Sequence, residues 1–219
     1  MDKHSIIKFF LPSKCMFCKD IVTDGGICDE CRTKTEYLKI PQTARDINHQ
    51  CFKKLDKCIS FYYYKDIVRD SILYAKYKSC AHFLDGFEEI TGVDFGRLCE
   101  ENNIDEIISM PAHKSKFYTN EYDLPQQMAL RIAKNNGLRY NKDLVTKIKK
   151  TKNQHDLSLT ERKSNLKGAF ELNGEVKGKN ILIIDDIIST GYSLEEVAAC
   201  LKKGGASAVM AITFAYNKL

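Results

Sequence analysis

The sequence predicts an α/β fold with a mainly parallel sheet and flanking helices, preceded by a small metal-binding module. Three observations predict it. From Ile59 onward, strand-like and helical segments alternate, as βα units require. Ile181–Ile184 is a short unbroken apolar run, the pattern of a strand buried on both faces. Ahead of both, four cysteines fall into two C-x2-C pairs.

Each element has its own signal. Ile59-Ser60-Phe61-Tyr62-Tyr63-Tyr64 is β-branched and aromatic and predicts a strand. Its tyrosine run has two readings, strand packing or a platform on which bases stack. Val68, Ile72, Leu73 and Tyr77 fall at helical spacing. Ile104–Met110 carries an apolar run that ends at Pro111, and Gln126–Lys134 predicts a helix with Met128, Leu130, Ile132 and Ala133 as apolar positions. Leu144–Lys149 alternates and reads as a strand. Leu194–Lys203 reads as a helix closed by Gly204-Gly205, and Ala208–Phe214 as the last strand. Residues 41–57 are polar, open at Pro41 and read as linker. The predicted division is therefore 1–57 for the module and linker, and 58–219 for the α/β domain.

Composition narrows the function classes. In 219 residues, 43% are hydrophobic and 29% charged, which excludes wholesale disorder, a collagen-like repeat and a membrane bundle. No apolar run approaches the roughly 20 residues of a spanning helix, so no membrane insertion is expected. The start, with Lys8 interrupting a short apolar stretch, does not read as a secretory signal, and the expected location is the cytoplasm. A net charge of +5 permits a polyanionic partner without demanding one.

Nine cysteines, an odd number in a reducing compartment, argue against a disulfide framework. Cys15-x2-Cys18 and Cys28-x2-Cys31 suit a structural Zn²⁺, because each turn brings two thiolates onto one ion and two turns complete a tetrahedron. Thr23-Asp24-Gly25-Gly26 supplies the reversal between them. Such a closed site folds its segment, contributing about 10–16 kcal/mol, and leaves no open position for chemistry. Cys51 and Cys58 lack ligand-pair spacing even with His49 nearby. Cys80, Cys99 and Cys200 read as buried or half-buried small hydrophobes.

The most informative stretch is Ile181-Leu182-Ile183-Ile184-Asp185-Asp186-Ile187-Ile188-Ser189-Thr190-Gly191-Tyr192-Ser193. A buried strand ends in two acids, a hydroxyl-rich loop with one glycine follows, and a helix begins. Ligands of open α/β sheets sit at the carboxyl ends of strands. The loop offers backbone N–H groups and the positive end of a helix dipole, a cradle for a monophosphate. Asp185 and Asp186 stand where carboxylates accept hydrogen bonds from sugar hydroxyls. Neither a Walker loop nor a G-x-G-x-x-G turn is present.

Four apolar residues, two acids, two apolar residues and S-T-G-x-S resemble the phosphoribosyl pyrophosphate (PRPP) motif of type I phosphoribosyltransferases. The four-cysteine module ahead of such a domain resembles the ComF family of competence-associated proteins. Three further segments are similar to that family: Tyr64-x4-Arg69-x2-Ile72-x3-Lys76-Tyr77, Asp105–Lys114, and Thr151-x2-Gln154-x2-Leu157-x4-Arg162-x2-Asn165-x2-Gly168-Ala169-Phe170. The resemblance implies a type I phosphoribosyltransferase fold. It implies that Asp185 and Asp186 hold the ribose and that Ser189, Thr190, Gly191, Tyr192 and Ser193 hold the 5′-phosphate. Pro111–Ser115 would bind pyrophosphate through Lys114, with His113 either hydrogen-bonding there or structural. Thr151–Asn165 would be a catalytic loop supplying Lys152, Arg162 and Lys163, and Mg²⁺ would accompany PRPP. Where the family has an R-G-F-N-Q run, this sequence has Asn120-Glu121-Tyr122-Asp123-Leu124, in which Tyr122-Asp123 substitutes for the F-N pair and the arginine, glycine and glutamine are missing.

Three functions stay open at this point. One is a ComF-like role in DNA uptake, handling single-stranded DNA with the competence machinery. Another is an active phosphoribosyltransferase of nucleotide metabolism. The third is a regulator that senses PRPP or a nucleotide without turnover. Lys142, Lys147, Lys149, Lys150 and Lys152 are compatible with a single-strand partner, although a lysine-rich solvated surface is the commoner meaning.

Overall fold

The computed structural model describes residues 13–23, 25–78, 81–112, 122–149 and 166–218. A five-stranded, wholly parallel sheet runs in the order β1-β7-β6-β2-β3. Its strands are β1 (Lys57–Tyr63), β2 (Glu106–Ser109), β3 (Arg139–Tyr140), β6 (Asn180–Ile188) and β7 (Ala208–Tyr216). The central strands β6 and β7 are buried over most of their length, which explains their continuous apolar runs. A separate antiparallel pair joins β4 (Val145–Lys147) to β5 (Phe170–Leu172), so the alternating segment at Leu144–Lys149 builds a hairpin outside the main sheet.

The sheet divides two cores. On one face Leu182, Ile184, Met210, Ile212 and Phe214 pack with residues of α2 (Asp66–Tyr77), α3 (Ala81–Glu101) and α4 (Leu124–Asn135). On the other, Ile181, Ile183, Val209 and Ala211 pack with Leu194, Val197, Ala198 and Leu201 of α5 (Tyr192–Lys203). Along Ile181–Ile184 and Val209–Ile212 alternate residues serve alternate cores, as the period of two demands.

The 21-residue helix α3 carries Gly86, Gly92 and Gly96, a composition that weakens a helix in isolation. Tertiary packing overrides that cost: Phe83, Phe87 and Phe95 are each at most 2% exposed. Gly86 also lets the N-terminal module dock, since a Cβ there would come within 2.3 Å of Met16 Sδ, and one on Gly26 within 2.2 Å of the Gly86 backbone. Glu89 of α3 completes the contact by accepting from the Gly26 N–H at 2.6 Å and pairing with Arg32 of α1 (Asp29–Lys34).

Residues 41–56 are packed as well as polar. Ile47 and Leu55 are buried in the second core beside Ile40, Ile47 N–H donates to the Cys58 carbonyl, and Asp46 bridges Ile59. Among the described residues no helix is long and apolar enough to cross a membrane.

Candidate functional site

The module and the sheet each offer a site. In the module, the sulfur atoms of Cys15, Cys18, Cys28 and Cys31 all lie within 4.8 Å of one another. Cys18 Sγ and Cys28 Sγ are 3.7 Å apart, and a tetrahedron of thiolates around Zn²⁺ with bonds of about 2.3 Å has an edge of about 3.8 Å. Backbone N–H groups point at the sulfurs, Cys28 N to Cys15 Sγ at 3.5 Å and Cys31 N to Cys28 Sγ at 3.4 Å. Burial pushes the Cys15 thiol up, but hydrogen bonds from the Cys28, Cys18 and Phe17 backbone outweigh it and bring the group down to about 7. Burial pushes Cys18 up to about 11. This donor set fits a closed zinc centre; Cys15 is fully buried and Cys31 only 2% exposed, so the metal would sit inside the fold. Cys58 and Cys99 are buried small side chains, whereas Cys200 is half-buried.

At the sheet, β6 extends through Asp185 and Asp186 to Ile188, and α5 begins at Tyr192 directly after the loop. Gly191 takes the left-handed region, φ +73°, and no side chain caps the helix. The loop therefore turns back N–H groups and a positive dipole end toward the carboxyl edge of the sheet. Strand alternation sends the two carboxylates to opposite faces. Asp186 follows Leu182 and Ile184 toward α2, whereas Asp185 follows Ile181 and Ile183. Asp185 shares its register with Thr213 of β7, which in turn pairs with Ser60 of β1, and the hydroxyls of Ser60 and Thr213 are buried without a partner.

Asp186 meets a cation that the sequence reading assigned no role. Lys76 Nζ of α2 lies 2.7 Å from Asp186 Oδ2, with side chains 20% and 8% exposed. Burial opposes charge on Lys76, but the Asp186 carboxylate outweighs it and holds the ammonium above the usual lysine range. A signal was present: Val68, Ile72 and Lys76 stand at i, i+4 and i+8, which puts the lysine on the buried stripe of its helix.

The stretch read as linker also contributes. Residues 49–56 form a strap across the loop and the start of α5. Cys51 Sγ donates to the Thr190 carbonyl at 3.1 Å, and burial pushes that thiol up to about 11, so it keeps its proton. Lys54 N and Leu55 N donate to the Glu195 carboxylate. Phe52 covers Gly191 so closely that a Cβ there would stand 2.6 Å from Phe52 Cε1. The close approach that Gly191 permits is thus to Phe52. His49 packs edge-on against Phe52 and Tyr216, and burial lowers its pKa against a smaller opposing effect of the Ser189 backbone. Polar composition concealed the strap, because its anchors, the Cys51 thiol and the Lys54 and Leu55 N–H groups, leave no apolar periodicity in the sequence.

Lys114, Arg162, His113, Lys152 and Lys163 lie outside the described residues. In place of the R-G-F-N-Q run, Asp123 caps α4 by accepting from Gln126 N at 3.2 Å, and Tyr122 N donates to the Lys76 carbonyl at 2.7 Å.

A parallel sheet with flanking helices gives the chain a type I phosphoribosyltransferase fold, with a four-cysteine cluster N-terminal to it. Residues 128–218 match the family model of the phosphoribosyl transferase domain. The chain is similar to the DNA utilization protein YhgH of Escherichia coli, 24% identical over 91% of this chain and 95% of the relative. It is similar to the competence protein ComFC of Bacillus subtilis at 24% identity over 87% of this chain and 84% of that one. Competence protein F of Haemophilus influenzae matches at 28% identity over 45% of this chain and 44% of the relative. Among solved structures, a purine phosphoribosyltransferase from Pyrococcus horikoshii matches with a TM-score of 0.37 and 20% identity, covering 57% of this chain and 68% of that one. Over most of its length the chain is thus similar to proteins named for DNA utilization and competence, and its C-terminal part matches the phosphoribosyl transferase domain.

Proposed function

We propose that the domain binds PRPP together with Mg²⁺, and that the protein serves DNA uptake by handling single-stranded DNA. The observation that carries the PRPP reading is the loop itself. Two acids stand near the carboxyl end of the buried strand β6, Gly191 turns through the left-handed region, and α5 opens without a side-chain cap. In this reading the Ser189–Ser193 loop holds the 5′-phosphate, and Asp185 and Asp186 accept from ribose hydroxyls. Lys76 holds Asp186 in place through their ion pair. Mg²⁺ would take most of its ligands from substrate oxygens and water and would screen the pyrophosphate charge. Lys114 and Arg162 are the cations proposed for the pyrophosphate side. The DNA role is supported by the relatives' names.

The test is calorimetric titration with PRPP of the wild-type chain and of Asp185→Asn. Asp185 is the cleaner target, because Asn at position 186 would also strip Lys76 of its partner. Loss of PRPP affinity with an unchanged melting temperature supports the ribose role. Equal affinity in both proteins removes Asp185 from it.

A further inference from the structure

We propose that the cavity at the carboxyl ends of β1 and β7 is a nucleotide subsite, in which a base stacks on tyrosine rings and its phosphate meets lysine. The cavity, of about 340 Å³, is lined by Tyr63, Tyr64, Lys65, Tyr216, Asn217 and Lys218. It rests on the proposed function, because it would lie beside the PRPP site and supply what that site lacks, a place for a base.

The tyrosine run divides in the structure. Tyr62 is 1% exposed and belongs to the core, where it packs on Phe17 and Phe214. Tyr63 and Tyr64 are half-buried, and Tyr216 joins them from the neighbouring strand, where it is register partner to Tyr63. A rim of half-buried aromatic rings around a cavity differs from strand packing, which would have closed it. Lys65 and Lys218 are exposed at the mouth, and Asn217 brings an amide that both donates and accepts. Aromatic faces with cations beside them are the combination that binds nucleotides with little regard to which base is present. The volume falls at the small end of ligand pockets, the scale of one base with its sugar and phosphate.

Three observations tie the cavity to the end of β6 and its loop. Tyr64 lies within electrostatic reach of the Lys76–Asp186 pair. Tyr216 packs against His49 with ring centroids 5.5 Å apart, and His49 faces the Ser189 backbone. Asn217 N–H donates to the Ile188 carbonyl at 2.7 Å, which anchors the cavity floor to the end of β6. A base seated there would stand next to the strand end that carries both acids.

The ligand chemistry is a nucleotide unit, and it has two sources, a free mononucleotide or one residue of a single strand. The chain has 11 tyrosines and no tryptophan, so quenching of tyrosine fluorescence reports stacking directly. The zinc-loaded full chain is titrated with AMP, with a thymidine oligonucleotide and, separately, with PRPP. Tyr63→Leu and Tyr64→Leu are compared with Tyr63→Phe and Tyr64→Phe. Each leucine variant should lose about 5- to 150-fold in nucleotide affinity, the range that one stacked base is worth, and each phenylalanine variant should stay near wild type. Saturation by both ligands names the nucleotide unit as sufficient. Saturation by the oligonucleotide alone names the single strand as the source. PRPP binding with no saturable signal from either ligand overturns the subsite and leaves the PRPP reading standing. Leucine variants that bind nucleotide like wild type overturn it as well. Nucleotide binding without PRPP binding would support the subsite and remove the PRPP part of the proposed function.

Discussion

Replacing Lys76 by Met should be among the costliest single changes in the domain. Lys76 Nζ and Asp186 Oδ2 are 2.7 Å apart, and their side chains are 20% and 8% exposed. At an effective dielectric of about 20, unit charges at that separation attract by about 6 kcal/mol. The cost of removing both from water offsets much of this, so the pair itself adds little net stability. Removing one partner is a different matter. Lys76→Met leaves a buried carboxylate without its cation and should cost about 3–5 kcal/mol. The double variant Lys76→Met with Asp186→Asn removes both charges and should regain a large part of that loss. The assay is urea unfolding of the four proteins at neutral pH, at low and at high salt. The expected result is a strongly non-additive cycle, about 2–3 kcal/mol of coupling, that salt barely changes. A Lys76→Met cost below about 1 kcal/mol, with additive single variants, would mean that the pair behaves as an exposed one and that Lys76 does not hold Asp186.

Three further outcomes are expected. Chelation should release about one zinc per chain and unfold the four-cysteine module, and Cys15→Ser should prevent loading, as structural sites do; metal analysis of the purified chain checks both, and a metal-free folded module would refute the centre. Gly191→Ala should destabilise by about 2–5 kcal/mol, since a left-handed residue costs about 1–2 kcal/mol and crowding Phe52 about 1–3 kcal/mol; thermal melting reads it, and an unchanged midpoint would show that the strap yields freely. Burial holds His49 below its ordinary 6.5, so the unfolded chain binds the proton more readily and His49's contribution is present above pH 6.5 and lost as pH falls below it. A stability-against-pH curve of His49→Phe should lack that loss, and identical curves for the two proteins would contradict the strap's packing.

The order of strands and helices was legible because the parallel strands are buried on both faces and announce themselves as apolar runs. The turn from β6 into α5 was legible because acids, hydroxyls and one glycine fall in a short contiguous stretch between an apolar run and a helical pattern. The four cysteines were legible for the same reason: ligand spacing is local. Helix α3 was not, since Gly86, Gly92 and Gly96 lower its propensity and only the packed Phe83, Phe87 and Phe95 restore it. The strap at residues 49–56 read as linker because its anchors are backbone N–H groups donating to Glu195, 140 and 141 positions along the chain. Lys76 was part of a recognised block, but its partner is far away in sequence, and only the fold brings a lysine on a buried helix stripe against Asp186. The tyrosine run was ambiguous for a related reason. Tyr62 joins the core while Tyr63 and Tyr64 rim a cavity, a division set by where β1 ends.

The central claim is that the loop at the end of β6 is a live PRPP site. Calorimetric titration of the zinc-loaded chain with PRPP, with and without Mg²⁺, tests it most directly. The account predicts saturable binding at one site per chain that requires Mg²⁺. No heat of binding in either condition, from a folded and metal-loaded protein, would contradict it.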